Sequence, residues 1–127
     1  MTTRLEHANI TVTSPEATAA WMTKVFGWHI RWQGNAISGG YSIHVGSADS
    51  YLALYCPPGE QQPVPDSYTS TGGLNHLAVE VTDIEACEAA VKHAGFTPKN
   101  HGDYEPGRRF YFNDDNDIEF EVVEYDA

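Results

Sequence analysis

One stretch of this chain is present twice. Leu5-Glu6-His7-Ala8-Asn9-Ile10-Thr11-Val12-Thr13 is echoed by Leu74-Asn75-His76-Leu77-Ala78-Val79-Glu80-Val81-Thr82, and the match continues to Glu16-Ala17 and Glu85-Ala86 at a constant offset of 69 residues. A helix-capping residue, Ser14 or Asp83, stands at the same place in each copy. Such a duplication restricts the fold to two copies of one module. Each copy carries a histidine at the same point of its first strand, so two imidazoles can converge on one ligand.

At 127 residues the chain is long enough for a real hydrophobic core but short for two independent ones, so the repeat predicts two halves of one domain spanning residues 1–127. Module one covers about 1–56 and module two about 74–127. Between them, residues 57–73 hold four of the seven prolines, cannot continue a sheet, and read as a linker that could serve as a flap. Within each copy the pattern is the same. Residues 5–12 alternate, with Ala8, Ile10 and Val12 on one face and Leu5, His7, Asn9 and Thr11 on the other. Ser14 and Pro15 then open a helix with an apolar stripe of Ala17, Ala20, Trp21, Met22 and Val25 that ends near Gly27. In the second copy Asp83 opens a helix whose stripe is Ile84, Cys87, Val91 and Ala94, closed by Gly95. Short extended stretches follow each helix, at 28–33, 41–45 and 51–55, then at 96–100, 109–113 and 118–124. The expected fold is therefore α+β, with two βαβββ modules whose helices cover one face of a curved mixed sheet and whose other face lines a cavity.

Composition narrows the function. Eighteen acidic residues against seven basic ones give a formal charge of −11, which argues against nucleic acid and anionic membranes as partners. It would favour a cationic ligand, although the acids are scattered and solubility is the plainer account. No apolar run is long enough to span a bilayer, and the first residues lead into a strand instead of a secretion signal, so the cytoplasm is the expected location. In that setting Cys56 and Cys87 are expected to be reduced thiols, neither a nucleophile.

Strand parity selects the candidates. His7 and His76 fall on the face away from the helices, and Glu119 and Glu121 fall opposite the apolar face of Ile118, Phe120 and Val122. Two imidazoles and one carboxylate are a facial set of metal ligands with open coordination positions. Any one of the six histidines alone would mean little; recurrence at equivalent positions is what carries weight. His44 has the parity opposite to Ile43 and Val45 and is a candidate general base, with a surface histidine as the plainer reading. Tyr51 and Tyr55 share a face and would narrow a pocket with aromatic walls for a small, partly apolar substrate. His29, His93 and His101 lie at helix ends or in loops and are given no role.

Three motifs carry a resemblance over essentially the whole chain: Leu5-Glu6-His7, Leu74-Asn75-His76-Leu77-Ala78-Val79-Glu80-Val81, and Arg109-Phe110-Tyr111-Phe112-Asn113-Asp114 followed by Ile118-Glu119-Phe120. The chain resembles the vicinal oxygen chelate superfamily, which includes glyoxalase I, fosfomycin-resistance thiol transferases, extradiol dioxygenases and bleomycin-resistance proteins. The resemblance implies His7, His76 and Glu119 as ligands of one divalent metal ion, which iron, manganese, nickel, cobalt and zinc could all supply. It also implies a small substrate that chelates the metal through oxygens and a substrate contact at Tyr111, for which an interfacial or core aromatic is the equal alternative; His44, Tyr111 or Glu121 are the candidate proton carriers. Homodimers with exchanged halves are implied as well. In two places the chain departs from the family pattern. Asn113-Asp114-Asp115-Asn116-Asp117 replaces the usual Asp-Pro-Asp-Gly turn, and parity places Ala53 where glyoxalase I carries a fourth, glutamate ligand. A glyoxalase-like lyase or isomerase and a dioxygenase are the leading activities, with the usual glyoxalase I proton transfer opposed by Ala53. A fosfomycin-type thiol transferase is an alternative, opposed by the scarcity of positive charge, for which only Arg108 and Arg109 are evident. The other alternative is a metal-free protein that sequesters a cationic drug, like the bleomycin-resistance members.

Overall fold

A computed structural model describes residues 1–127. Its elements run β1 (His7–Thr11), α1 (Pro15–Phe26), β2 (His29–Asn35), a 3₁₀ turn (Ile37–Gly39), β3 (Tyr41–Gly46), β4 (Tyr51–Cys56), β5 (Leu77–Glu80), α2 (Ile84–His93), β6 (Lys99–Tyr104), β7 (Gly107–Asn113) and β8 (Glu119–Tyr125). This is the expected βαβββ order, twice, in an α+β chain. The chain divides into two compact units, Met1–Gln62 and Pro63–Ala127, so the Pro-rich segment is shared between them.

Each unit is built the same way. In the first, the strand order is β1-β4-β3-β2; in the second it is β5-β8-β7-β6. The first strand of each pairs in parallel with the last, and the remaining pairs are antiparallel. Ser14 and Asp83 cap the helices through bonds from Ala17 N (3.1 Å) and Ala86 N (3.0 Å), satisfying amides that the first helical turn leaves open.

The helices cover one sheet face in each unit. Met22, Ala19, Ile43, Val45, Leu52 and Leu54 are buried in the first, and Val91, Phe110, Phe112, Phe120 and Val122 in the second. Removing each of these side chains larger than Ala19 from water contributes about 1.5–3 kcal/mol. The phase of α1 differs from expectation. Ala17 and Ala20 are exposed, and the buried stripe is Thr18, Ala19, Trp21, Met22 and Val25. Met22 and Val25 fix the rotation, and positions three and four residues before Met22 are Ala19 and Thr18. Ala94 is likewise exposed in the second unit.

The extended stretch expected at 96–100 begins later, at Lys99. Gly95 adopts φ 98°, and Phe96 N then closes on Val91 O at 3.1 Å, so Phe96 belongs to the helix terminus. Its ring stacks on Phe112 at 5.7 Å, and Pro98, lacking an N–H, keeps the ladder from starting before Lys99.

Candidate functional site

In the first unit the face away from α1 carries a row of rings. Register sets His7 opposite Tyr51, His44 opposite Ala53 and Trp32 opposite His44. Tyr51 stacks on His7 (centroids 4.8 Å, 13°) and on His44 (4.6 Å, 23°), and His44 meets Trp32 at 5.0 Å. A register shift between Ile30 and Trp32 leaves Arg31 bulged, which re-aims its side chain so that the guanidinium lies 4.6 Å from the centre of the Tyr51 ring. Glu6 Oε1 accepts from His7 Nδ1 at 2.8 Å. That bond leaves the lone pair on Nε2, the arrangement a metal-binding imidazole takes when a carboxylate orients it. His44 is held below its ordinary value of 6.5 by burial and by the charges of His7 and Arg31, with Glu6 opposing, and so favours the neutral form. Tyr55 is committed elsewhere, its hydroxyl donating to Ile37 O at 2.8 Å.

The second unit carries charges on the corresponding face. His76 and Glu119 each immediately precede the paired residues Leu77 and Phe120, so they start adjacent parallel strands at the same level. His76 Nε2 donates to Glu121 Oε1 at 3.0 Å, and Arg109 Nη1 donates to Glu121 Oε2 at 3.0 Å. Glu121 is 7% exposed. Tyr111, opposite Glu121 in the β7–β8 ladder, sets its ring edge-on to His76 at 5.6 Å, and burial followed by the Glu121 charge raises its pKa. Arg109 also lies 4.8 Å from the Tyr104 ring. His76 Nδ1 is buried and has no hydrogen-bond partner. Glu119 Oε2 instead accepts from the Tyr68 hydroxyl at 2.8 Å.

His76 is therefore joined to Glu121, and Glu119 to a residue that parity could not find. Tyr68 is the lone aromatic among residues 57–73, which was the available signal. A separate cleft on the α2 side of this unit is lined by Ile84, Glu85, Glu88, His101, Asp103 and Arg108. An ion pair between Arg108 and Glu85 and a 3.0 Å hydrogen bond between His101 and Glu88 close it.

Matching the two registers corrects one position. With His7 matched to His76, the parallel pairs match Tyr51 to Glu119 and Ala53 to Glu121. The antiparallel pairs then match His44 to Tyr111 and Ser42 to Arg109. The counterpart of Glu119 in β4 is thus Tyr51, one pleat from Ala53, because alternation gives the face of a residue but not its level along the strand. β4 contains no carboxylate at all. Within either unit, no three His, Cys, Asp or Glu side chains gather at one point. The donor types nevertheless suit a divalent metal ion: two imidazoles, one with a buried Nδ1 that has no hydrogen-bond partner, and a carboxylate beside each.

Comparison with known proteins agrees with this architecture. The family model for the Glyoxalase/Bleomycin resistance protein/Dioxygenase superfamily matches residues 4–122. No curated protein matches. Among solved structures, the glyoxylase/bleomycin resistance protein/dioxygenase domain from Frankia sp. EAN1pec is 18% identical, with 100% of this chain and 95% of that chain covered and a TM-score of 0.84. A glyoxalase family protein from Enterococcus faecalis is 20% identical over 95% and 97% of the two chains, TM-score 0.76. The fosfomycin resistance protein FosX from Listeria monocytogenes, solved with Mn(II) and sulfate, is 18% identical over 100% and 96%, TM-score 0.73. On the family match and the doubled βαβββ order together, this chain belongs to the glyoxalase/bleomycin resistance protein/dioxygenase superfamily.

Proposed function

We propose that the chain is a metal-dependent enzyme of the vicinal oxygen chelate type, with His7, His76 and Glu119 as the ligands of one divalent ion. The observation that supports it most is the duplicated imidazole: each sits at the head of its module's first strand, and each is bonded to a carboxylate through one ring nitrogen, leaving the other without a protein partner among the bonds described. When bound, the metal supplies Lewis acidity toward a small substrate that meets it through oxygens. β4 offers no fourth carboxylate, so the reading favours substrate oxygens in the open positions and disfavours the usual glyoxalase I proton transfer. A lyase or isomerase with a different proton carrier, or a dioxygenase, remains as the reaction. His44, neutral at ordinary pH, accepts a proton in this scheme, and Tyr111, a phenol, donates one. Glu121 and Arg109 orient His76 more than they move protons, since both are engaged with each other. Tyr51 holds His7 and His44 by stacking, while Tyr55 anchors the 3₁₀ turn.

FosX of Listeria, solved with Mn(II), makes manganese a reasonable first ion to test. Metal analysis is the decisive experiment. One equivalent of metal per chain, lost in a His7→Ala, His76→Ala double variant, supports the reading; a native protein purified without metal sinks it. A second reading has its own observation, the half-exposed Trp32 in a chain of charge −11, which suits sequestration of a cationic aromatic compound. That reading requires the metal-free result. A cytoplasmic homodimer completes the proposal, tested by ultracentrifugation, where a monomer at micromolar concentration removes the dimer; no helix is long and apolar enough to cross a membrane.

A further inference from the structure

We propose that Tyr68, from the Pro-rich segment, is the positioning residue of Glu119: its hydroxyl occupies one carboxylate oxygen and leaves the other to face a metal ion. The inference rests on Glu119 being a ligand, as proposed above. Tyr68 Oη donates to Glu119 Oε2 at 2.8 Å across 51 residues of sequence. Tyr68 is 60% exposed, so burial does not place its ring; the loop must.

The loop is tied on both sides of that residue. Asp66 Oδ1 accepts from Tyr68 N at 3.0 Å, Ser70 N closes on Asp66 O at 3.1 Å, and Gly73 N closes on Ser70 O at 2.8 Å. Asn75 Nδ2 donates to Ser67 O at 2.9 Å, linking the neighbour of Tyr68 to the neighbour of His76. At Gly73 the chain passes so close that a Cβ would stand 2.5 Å from Ser67 O, so only glycine lets the loop fold back this tightly. Residues 66–75 thus deliver one hydroxyl to one carboxylate and fasten it beside the strand that carries the second histidine.

The chemical consequence is the mode of ligation. With one lone pair of Oε2 engaged by Tyr68, the carboxylate would favour holding a metal ion through Oε1 alone. One-atom ligation leaves an additional coordination position for a chelating substrate, which fits a site with three protein ligands. Hydrogen bonding to a ligating carboxylate also fixes its orientation, and removal of such a partner lowers metal affinity by about 10- to 100-fold.

Titration of the full chain with Mn2+ alone, following free Mn2+ by electron paramagnetic resonance, tests this without an activity assay. Tyr68→Phe should bind Mn2+ about tenfold more weakly, the low end of that range because the contact is exposed, with an unchanged melting temperature in the metal-free state. Asn75→Ala, which keeps the hydroxyl but loosens the loop, should shift affinity the same way by less. Wild-type or tighter binding by Tyr68→Phe overturns the proposal, as does a matching loss of metal-free stability, which would make the tyrosine merely structural. Glu119→Gln separates the two levels. If it weakens binding while Tyr68→Phe does not, the ligand assignment stands and the positioning role falls; if it binds as wild type does, both fall.

Discussion

Glu121→Ala should be the most damaging single change on the sheet face of the second unit, and Arg109→Ser should repair it. Glu121 and Arg109 have side chains only 10% and 16% exposed, joined by a 3.0 Å bond. Removing one partner of a buried pair costs about 3–5 kcal/mol, because the other charge stays desolvated. The Tyr104 ring beneath Arg109 and the residual exposure place Glu121→Ala near the bottom of that range, at about 3 kcal/mol, with about 1 kcal/mol more from the bond lost by His76. Register matching supplies the control. At the same two positions the first unit carries Ala53 and Ser42, both buried, so this sheet accommodates an uncharged small pair. The double variant Glu121→Ala, Arg109→Ser removes both charges together and should cost less than Glu121→Ala alone, a coupling of about 2–3 kcal/mol. Urea midpoints at constant slope measure it, and the single variant should also melt roughly 15 °C lower. Additive costs, within about 0.5 kcal/mol, would refute the claim that the pair is held by mutual desolvation.

Three other outcomes follow from particular contacts. His44 has a folded pKa below its ordinary 6.5, so as pH falls through 6.5 the unfolded chain takes the proton first, and the stability present above that value is lost toward the folded pKa. His44→Gln should therefore lose less stability than wild type between pH 7.5 and 5.5 on the order expected for one titrating group, and equal losses would contradict the assignment. Cys87, 6% exposed and with its thiol pushed up to about 11, should resist iodoacetamide at pH 8 while the partly exposed Cys56 is alkylated, read by mass spectrometry of native against urea-unfolded protein. Asp83→Ala removes the cap of α2 and should destabilise by about 1 kcal/mol in the same urea assay, whereas Asp83→Asn, which retains an acceptor for Ala86 N, should lose much less.

What could be read from the residues was set by the range of the interaction. The βαβββ order, both helix caps and the faces of His7, His76 and Glu119 depend on neighbours a few residues away, and alternation or capping chemistry reports them. The buried stripe of α1 is not legible from Ala17 and Ala20, which are too small to choose a side; Met22 chooses for them. The level of Tyr51 against His7 depends on ladder bonds between strands far apart in sequence, and no local pattern holds that information. Tyr68 and Glu119 are farther apart still.

The matched registers give the duplication a sharper meaning than two copies of one site. At four equivalent positions the first unit has Tyr51, Ala53, His44 and Ser42, where the second has Glu119, Glu121, Tyr111 and Arg109. The histidine heading the first strand is kept in both, and these four positions differ. In the first unit Tyr51 stacks on the imidazole and Glu6 bonds it; in the second Tyr111 meets the imidazole edge-on and it is bonded to Glu121, which Arg109 also holds. Stacking fixes a ring without adding charge, whereas carboxylates add the negative charge that holds a divalent ion. Of the three proposed ligands Glu119 is the one carboxylate, and it adds a negative charge that a neutral imidazole lacks. Loss of Glu119 should accordingly weaken Mn2+ binding more than loss of His7, and the reverse order would refute that ranking.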